Sequence, residues 1–156
     1  NIFYSGNLND RFDWVLLLKL ARNFSDINIH LVGTASITNG WMEAINQYKN
    51  IIYHGPLPEK DNLRLLSQMD LTIMPHLPDN ISKYMNPLKV QMYSRLGIET
   101  IAMSVNGITE NKYLKIVDNH EDFIKMIANN KLVHINDNND NDYKASLAYE
   151  NILKNL

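Results

Sequence analysis

Ile2-Phe3-Tyr4-Ser5-Gly6-Asn7, then Asp13-Trp14-Val15-Leu16-Leu17-Leu18-Lys19-Leu20-Ala21-Arg22-Asn23-Phe24, then Ile27-Asn28-Ile29-His30-Leu31-Val32-Gly33, is the stretch that decides the fold. Its first and last pieces are short apolar runs that stop at glycine, the signature of buried strands. The middle piece places Trp14, Leu17, Leu18 and Ala21 on one helical face, with Asp10 or Asp13 as its cap. Strand, helix, strand in that order predicts a parallel pair joined by a crossover helix.

The same alternation continues along the chain. A helix is predicted near Asn39 to Tyr48 and a strand at Ile51 to His54; after Gly55-Pro56-Leu57-Pro58 comes a helix to about Met69 carrying Leu63, Leu66 and Met69. Strands at Leu71 to Met74, Glu99 to Met103 and Leu114 to Val117 follow, then a helix from about His120 to Ala128. Strands rich in Ile, Leu and Val between helices imply a parallel sheet covered on both faces. The fold class is therefore α/β, a doubly wound, Rossmann-like parallel sheet forming one domain over residues 1 to 156. The run Asn136 to Asp142 is too polar for the core and reads as a linker to a last helix near Tyr143 to Leu156.

Ligands of such sheets bind beyond the carboxyl ends of the strands. There the loops Gly6 to Arg11, Gly33 to Ser36, Gly55 to Pro58, Pro75 to Pro87 and Ser104 to Glu110 should gather, and every glycine except Gly40 and Gly97 falls in them. Tyr84-Met85-Asn86-Pro87-Leu88-Lys89-Val90-Gln91-Met92-Tyr93-Ser94-Arg95-Leu96-Gly97 enters this region. Asn86 suits an N-cap, Pro87 a first helical position and Gly97 a left-handed stop. The amides of Leu88 and Lys89, the positive end of the helix dipole and the Lys89 ammonium would converge on one phosphate, with Tyr93 on the same face as Lys89. The other reading makes Leu88, Met92 and Leu96 a buried stripe beside a solvated Lys89.

Composition removes several function classes. A formal charge of -2 and a pI near 6.2, without a basic cluster, argue against a nucleic-acid binder. With no cysteine there is no disulfide framework, thiolate nucleophile or cysteine zinc site. His30, His54, His76, His120 and His134 never fall in an H-x-x-x-H pair and read as structural or solvated, so no protein-built metal site is expected. No G-x-G-x-x-G follows the first strand and no P-loop occurs. The longest apolar run, Trp14 to Ala21, is broken by Lys19 and too short to span a bilayer. A chain that opens at Asn1 directly into a strand suggests a piece of a longer polypeptide with a partner domain.

Tyr4-x-Gly6, Leu31-Val32-Gly33, Asn50-Ile51 to Gly55 and Asn86-Pro87-x-Lys89-x-x-x-Tyr93-x-x-x-Gly97, in this order, resemble the carboxy-terminal half of a GT-B glycosyltransferase over roughly residues 2 to 130. The last motif is similar to the N-P-x-K … Y-L-A-x-G segment of bacterial transferases that build capsules, exopolysaccharides and related surface glycans. The resemblance implies a donor-binding domain for a sugar nucleotide, a UDP-sugar by expectation, that transfers the sugar to a glycan or lipid-linked acceptor held by a missing amino-terminal half. It implies further that Gly6 and Asn7 let the backbone approach the diphosphate, that Arg11 and Lys89 neutralise it without a metal, that Gly33 and Leu57 border the base and ribose, and that Tyr84, Asn86 and Tyr93 shape the pocket wall. From the residues alone, Arg11 also reads as a solvated charge, Tyr93 as core and Asn86 as a cap only.

Departures from the family pattern are specific. Many retaining relatives carry a glutamate at the positions of both Tyr84 and Met92, neither of which can accept two hydrogen bonds from a ribose. Pro87 replaces a common glycine and Glu99 a common proline. The resulting expectation is a glycosyltransferase whose catalytic base lies in the missing half, this part being inactive by itself; the alternative is a non-catalytic nucleotide- or sugar-binding subunit of a glycosylation complex. A receiver-like domain would need acids clustered at strand ends, and Asp70 precedes its strand. Cytoplasmic placement follows from where sugar nucleotides are made, any membrane contact being left to the missing half. The 22 asparagines point only to a bacterial type of composition.

Overall fold

A computed structural model describes residues 1–36, 40–77 and 88–136, with the backbone alone at 88 and 131–136. The elements are β1 (Ile2–Ser5), α1 (Trp14–Asn23), β2 (Ile29–Val32), α2 (Trp41–Ile45), β3 (Ile51–Tyr53), α3 (Glu59–Leu66), β4 (Leu71–Met74), α4 (Leu88–Arg95), β5 (Thr100–Met103), β6 (Leu114–Val117) and α5 (His120–Asn136). The six strands form one sheet in the order β3-β2-β1-β4-β5-β6. All neighbours are parallel. The doubly wound α/β reading therefore holds, and the chain reverses its direction of travel between β1 and β4, where such sheets open a crevice.

Period-two alternation along each strand divides the core. Ile2, Tyr4, Ile29, Leu31, Leu71, Ile73, Ile101 and Met103 face one side, packed against Leu16, Leu17 and Leu20 of α1, Ile45 of α2 and Phe123 and Ile127 of α5. On the other side Phe3 and Val32 meet Leu63 and Leu66 of α3 and Tyr93 of α4. Met74, Ala102 and Leu114 meet Val90 of α4 there as well. Burial on both faces is why the strands read as continuous apolar runs.

Asp13, not Asp10, caps α1: its Oδ1 accepts from the Leu16 amide at 2.8 Å. Its Oδ2 accepts from His120 Nε2 at 2.6 Å, which ties the start of α1 to the start of α5. The buried face of α1 is broader than predicted, with Leu16 and Leu20 fully covered and Leu18 only half-buried, because the helix lies across the sheet with α2 and α5 beside it. Predicted α2 contracts to five residues, since Gly40 before it is left-handed at φ 67° and Gln47 and Tyr48 close three-residue turns after it. Predicted α5 extends past Ala128 to Asn136, no Gly or Pro interrupting it. The rest of the polar run after Asn136 and the helix expected near 143–156 lie outside the described residues.

Asn50, buried just before β3, fastens the end of α1. Its Nδ2 donates to the carbonyls of Ala21 (3.0 Å), Phe24 (3.0 Å) and Ile27 (3.2 Å). Two hydrogens serve three acceptors, so one is shared. Asn50→Ala is expected to lower unfolding free energy by about 1–3 kcal/mol in a urea titration. Asn50→Asp is expected to lower it further, because a carboxylate would face three carbonyl oxygens.

Candidate functional site

Parallel strands carry every strand-to-helix loop to one edge of the sheet, and backbone contacts stack the first three. The Gly6 amide donates to Val32 O at 2.9 Å and the Gly33 amide to Gly55 O at 2.9 Å. Gly33 has φ 138°, and a Cβ on it would lie 1.8 Å from Gly6 O; a Cβ on Gly6 would lie 2.4 Å from Tyr4 Oη. At Gly33 only glycine permits this approach, because backbone stands in the way; at Gly6 a side chain would have to displace the Tyr4 ring. Tyr53 Oη donates to Gly33 O at 2.9 Å and closes the stack from the β3 side.

The loop after β1 is fixed by its neighbours. Leu8 and Phe12 are fully buried. The Leu8 amide donates to Thr34 O and the Ser36 amide to Leu8 O. On the β4 side the Asp13 amide donates to Pro75 O at 2.7 Å and the Leu77 amide to Arg11 O at 2.8 Å. Asn7 and Arg11 are thereby presented at the mouth of the β1–β4 crevice, Asn7 exposed and Arg11 half-buried. Tyr4 Oη donates to Asn7 O at 3.2 Å and lies 3.4 Å from His76 Nε2. Burial pushes the Tyr4 phenol well above its ordinary pKa; Tyr93 adds to the rise and Arg11 opposes it.

From the other side of the crevice α4 delivers Lys89 and Tyr93, one turn apart on one face. Lys89 Nζ donates to Ser5 O at 2.7 Å, at the last residue of β1. Partial burial lowers the ammonium's pKa. Lys89 is thus neither core nor simply solvated: its residue keeps exposed surface while its charge is held at the crevice. Tyr93 is buried with Phe3, Val32, Leu63 and Leu66. Its hydroxyl has no partner of good hydrogen-bond geometry among the described residues. Burial raises its pKa, partly offset by the Ser5 backbone.

Leu57 is half-buried and packs on this same cluster, as do Met92 and Leu96. Among the described side chains of α4 the buried ones are Val90 and Tyr93, with Met92 and, just past the helix, Leu96 at their margin. Gly6, Asn7, Arg11, Gly33, Leu57, Lys89 and Tyr93 belong to one edge of the fold, and Leu88 opens the helix that brings Lys89 there. Tyr84 and Asn86 lie outside the described residues, as does Pro87.

Sequence reading missed Ser5 as the acceptor for Lys89, Tyr53 as the clasp on Gly33 and the pairing of histidines. His30 Nδ1 lies 2.9 Å from His54 Nε2, and His120 meets Asp13. The available signal was strand alignment: His30 lies opposite Ile52, two residues before His54, so their side chains share a sheet face. Among the described residues no three His, Cys, Asp or Glu side chains form a metal-binding group, and no described helix is long and apolar enough to cross a membrane.

No family model and no curated protein matches the sequence. Solved structures do match. TarM superposes with a TM-score of 0.59 at 16% identity, over 98% of this chain and 31% of its own. HepE of Anabaena, solved with UDP and glucose, gives 0.59 at 15% identity over 94% of this chain and 41% of its own. The glycosyltransferase GlyE of Streptococcus pneumoniae TIGR4 gives 0.58 at 11% identity over 83% and 31%. The fold is that of a GT-B glycosyltransferase fragment. The chain spans about a third to two-fifths of the length of these proteins, and at such identity the likeness is one of fold.

The glycine stack separates two substitutions that look alike in sequence. Gly33→Ala is expected to cost about 3 kcal/mol or more, or to prevent folding, because its Cβ meets backbone. At Gly55 (φ 70°) nothing lies within 4 Å of a Cβ, so Gly55→Ala is expected to cost only the left-handed penalty of about 1–2 kcal/mol. Paired thermal and urea denaturation of the two variants checks the difference.

Proposed function

We propose that this chain is the donor-binding, carboxy-terminal half of a glycosyltransferase that moves a sugar from a sugar nucleotide to a glycan or lipid-linked acceptor. The observation that carries this reading is the Lys89 ammonium, brought by α4 to the last carbonyl of β1 at the point where the strand order reverses. A cation held there, beside a glycine-lined backbone edge, suits a diphosphate. The fold shared with HepE, a protein solved with UDP and glucose, supports a sugar nucleotide as the ligand.

In this reading the diphosphate lies between the loop after β1 and the start of α4. The Asn7 amide and those of the first turn of α4 line it, Gly6 lets the backbone come close, and Lys89 and Arg11 supply positive charge. As the bond from the anomeric carbon to the nucleotide oxygen breaks, negative charge grows on the leaving diphosphate while the sugar ring gains oxocarbenium character. Fixed cations and amides favour that charge distribution over the ground state. Gly33, Gly55 and Leu57 border the base and ribose, with the base read through main-chain groups. An acceptor hydroxyl attacks from a second domain, which contributes any catalytic base. Surface-polysaccharide synthesis in the bacterial cytoplasm, at the membrane face if the other half binds lipid, is the setting we assign, and the substrate's own phosphates are the only cofactor-like group required of this half.

One observation favours a second reading. Met92 packs with the apolar cluster around Phe3 and Leu63, so position 92 offers no carboxylate to a ribose. A non-catalytic sugar-nucleotide-binding subunit would tolerate that loss.

Calorimetric titration of the chain with UDP, GDP and ADP, beside Lys89→Ala and Arg11→Ala, tests the proposal. One nucleotide is expected to bind, and each variant to weaken it about tenfold to a hundredfold, as loss of a charge-assisted hydrogen bond does. A folded chain that binds none of the three would overturn the donor-site reading. Binding without sugar transfer after the missing half is restored would favour the non-catalytic subunit.

A further inference from the structure

His30 and His54 are joined by a contact that the proposed chemistry does not use. Their ring centroids are 5.2 Å apart with planes at 11°. The nitrogens Nδ1 of His30 and Nε2 of His54 are 2.9 Å apart. Nearly parallel planes with so short a nitrogen contact and so wide a centroid separation mean that the rings meet edge to edge, in one plane. A single proton fits between them. His30 Nε2 is buried with no partner among the described residues. A buried N–H without an acceptor is costlier than an idle lone pair, so the assigned tautomer has His30 donate through Nδ1 and leave Nε2 unprotonated.

Proton uptake then has a defined consequence. A proton on His54 Nε2 forces His30 either to oppose it with a second N–H or to shift its own proton to the buried, unpartnered Nε2. The Asn1 amino group, whose charge reaches His30, opposes a further positive charge there and is itself paired with Asp70 at 2.6 Å. His30 is flanked in register by Phe3 of β1 and Ile52 of β3. The charged residues of α3, Glu59, Lys60, Asp61 and Arg64, are all exposed to solvent. Burial lowers the pKa of His30, with His54 and then the Asn1 amino group adding smaller effects; burial lowers that of His54 too.

His54 opens the segment that carries Gly55 and Leu57. Its amide donates to Leu31 O at 2.9 Å, Gly55 O accepts from Gly33, and Gly33 rests against Gly6 O. We infer that His30 is a positioning residue: through its one N–H···N bond to His54 it holds residues 54–57, and with them Gly33 and Gly6, in the arrangement that takes the nucleotide, so that protonating the pair loosens that site. The inference rests on the donor-site reading above. Its sign is fixed: histidines whose pKa is lowered by folding contribute stability that is present above the ordinary value near 6.5 and is lost as pH falls through the folded values.

The test compares the wild-type chain with His54→Gln, which keeps a hydrogen-bonding side chain but cannot titrate, and with His30→Gln should the first variant fold poorly. Two measurements are made between about pH 7.5 and about pH 5.5, the window in which histidine changes charge. Hydrogen exchange of the Gly33 amide, corrected for intrinsic rate, is expected to lose protection on acidification by about threefold or more beyond any loss in the variant. UDP binding by calorimetry is expected to weaken by a similar excess; UDP itself takes up a proton near pH 6, so the wild-type excess over the variant is the readout. Identical pH profiles in wild type and variants, for the Gly33 amide and for UDP, overturn the inference and leave the donor site standing. Where GDP or ADP is the nucleotide bound, it replaces UDP in this titration; a folded chain that binds none of the three at any pH overturns the donor-site reading, and the Gly33 amide then decides the histidine device by itself.

Discussion

The edge of this sheet depends on one close approach: the carbonyl of Gly6 occupies the space that a side chain on Gly33 would need. With that space empty, the loop after β1 descends onto the loop after β2, and Gly33 in turn reaches the carbonyl of Gly55. The result is a ledge of main chain at the ends of three adjacent strands. Main chain is the surface that allows a flat or anionic ligand to come closest, because no Cβ stands in the way. The tyrosines reinforce it from both sides, Tyr4 through the Asn7 carbonyl and Tyr53 through the Gly33 carbonyl.

Opposite the ledge, α4 supplies what main chain lacks, a positive charge. Lys89 is partly desolvated and spends its charge on the Ser5 carbonyl. A carbonyl is a weak partner for an ammonium compared with a phosphate, so an anion entering the crevice gains more from Lys89 than the Ser5 contact loses. The helix is held in place by Val90 and Tyr93, whose apolar contacts lie on two different clusters spanning β1, β4 and β5. Packing of the helix and placement of the cation are consequently one event.

Burial of polar groups around this edge follows a consistent pattern. Asp13 is covered and fully engaged, by the Leu16 amide and by His120. Asn50 serves three carbonyls. These satisfy the rule that buried polar atoms are paired, and they join helices to strands. Tyr93 Oη, His30 Nε2 and Asn62 Oδ1 depart from it among the described residues, and Tyr93 shares a helix face with Lys89 at the candidate site. Polar atoms left without partners cost free energy, and such costs gather where function rather than stability sets the arrangement.

Much of the fold was legible because it rests on local rules. Short apolar runs gave all six strands, the first two ending directly at glycine, and their alternation with amphipathic stretches gave a parallel sheet; β1, β4 and β6 were placed at their observed limits. Boundaries failed where a single backbone conformation intervened, as at left-handed Gly40, or where nothing did, as along α5. The grouping of Gly6, Asn7, Arg11, Gly33, Leu57 and Lys89 at one edge followed from parallel topology alone. What the sequence by itself determined, then, was the sheet, its loaded edge and the residue types present there, because period, turn chemistry and capping act over a few neighbouring positions. Only the tertiary structure decided that Gly33 must lie on Gly6, that Lys89 bonds Ser5 and that the rings of His30 and His54 meet through their nitrogens, because these contacts join residues far apart in sequence, through distances and orientations that exist only after the sheet is assembled.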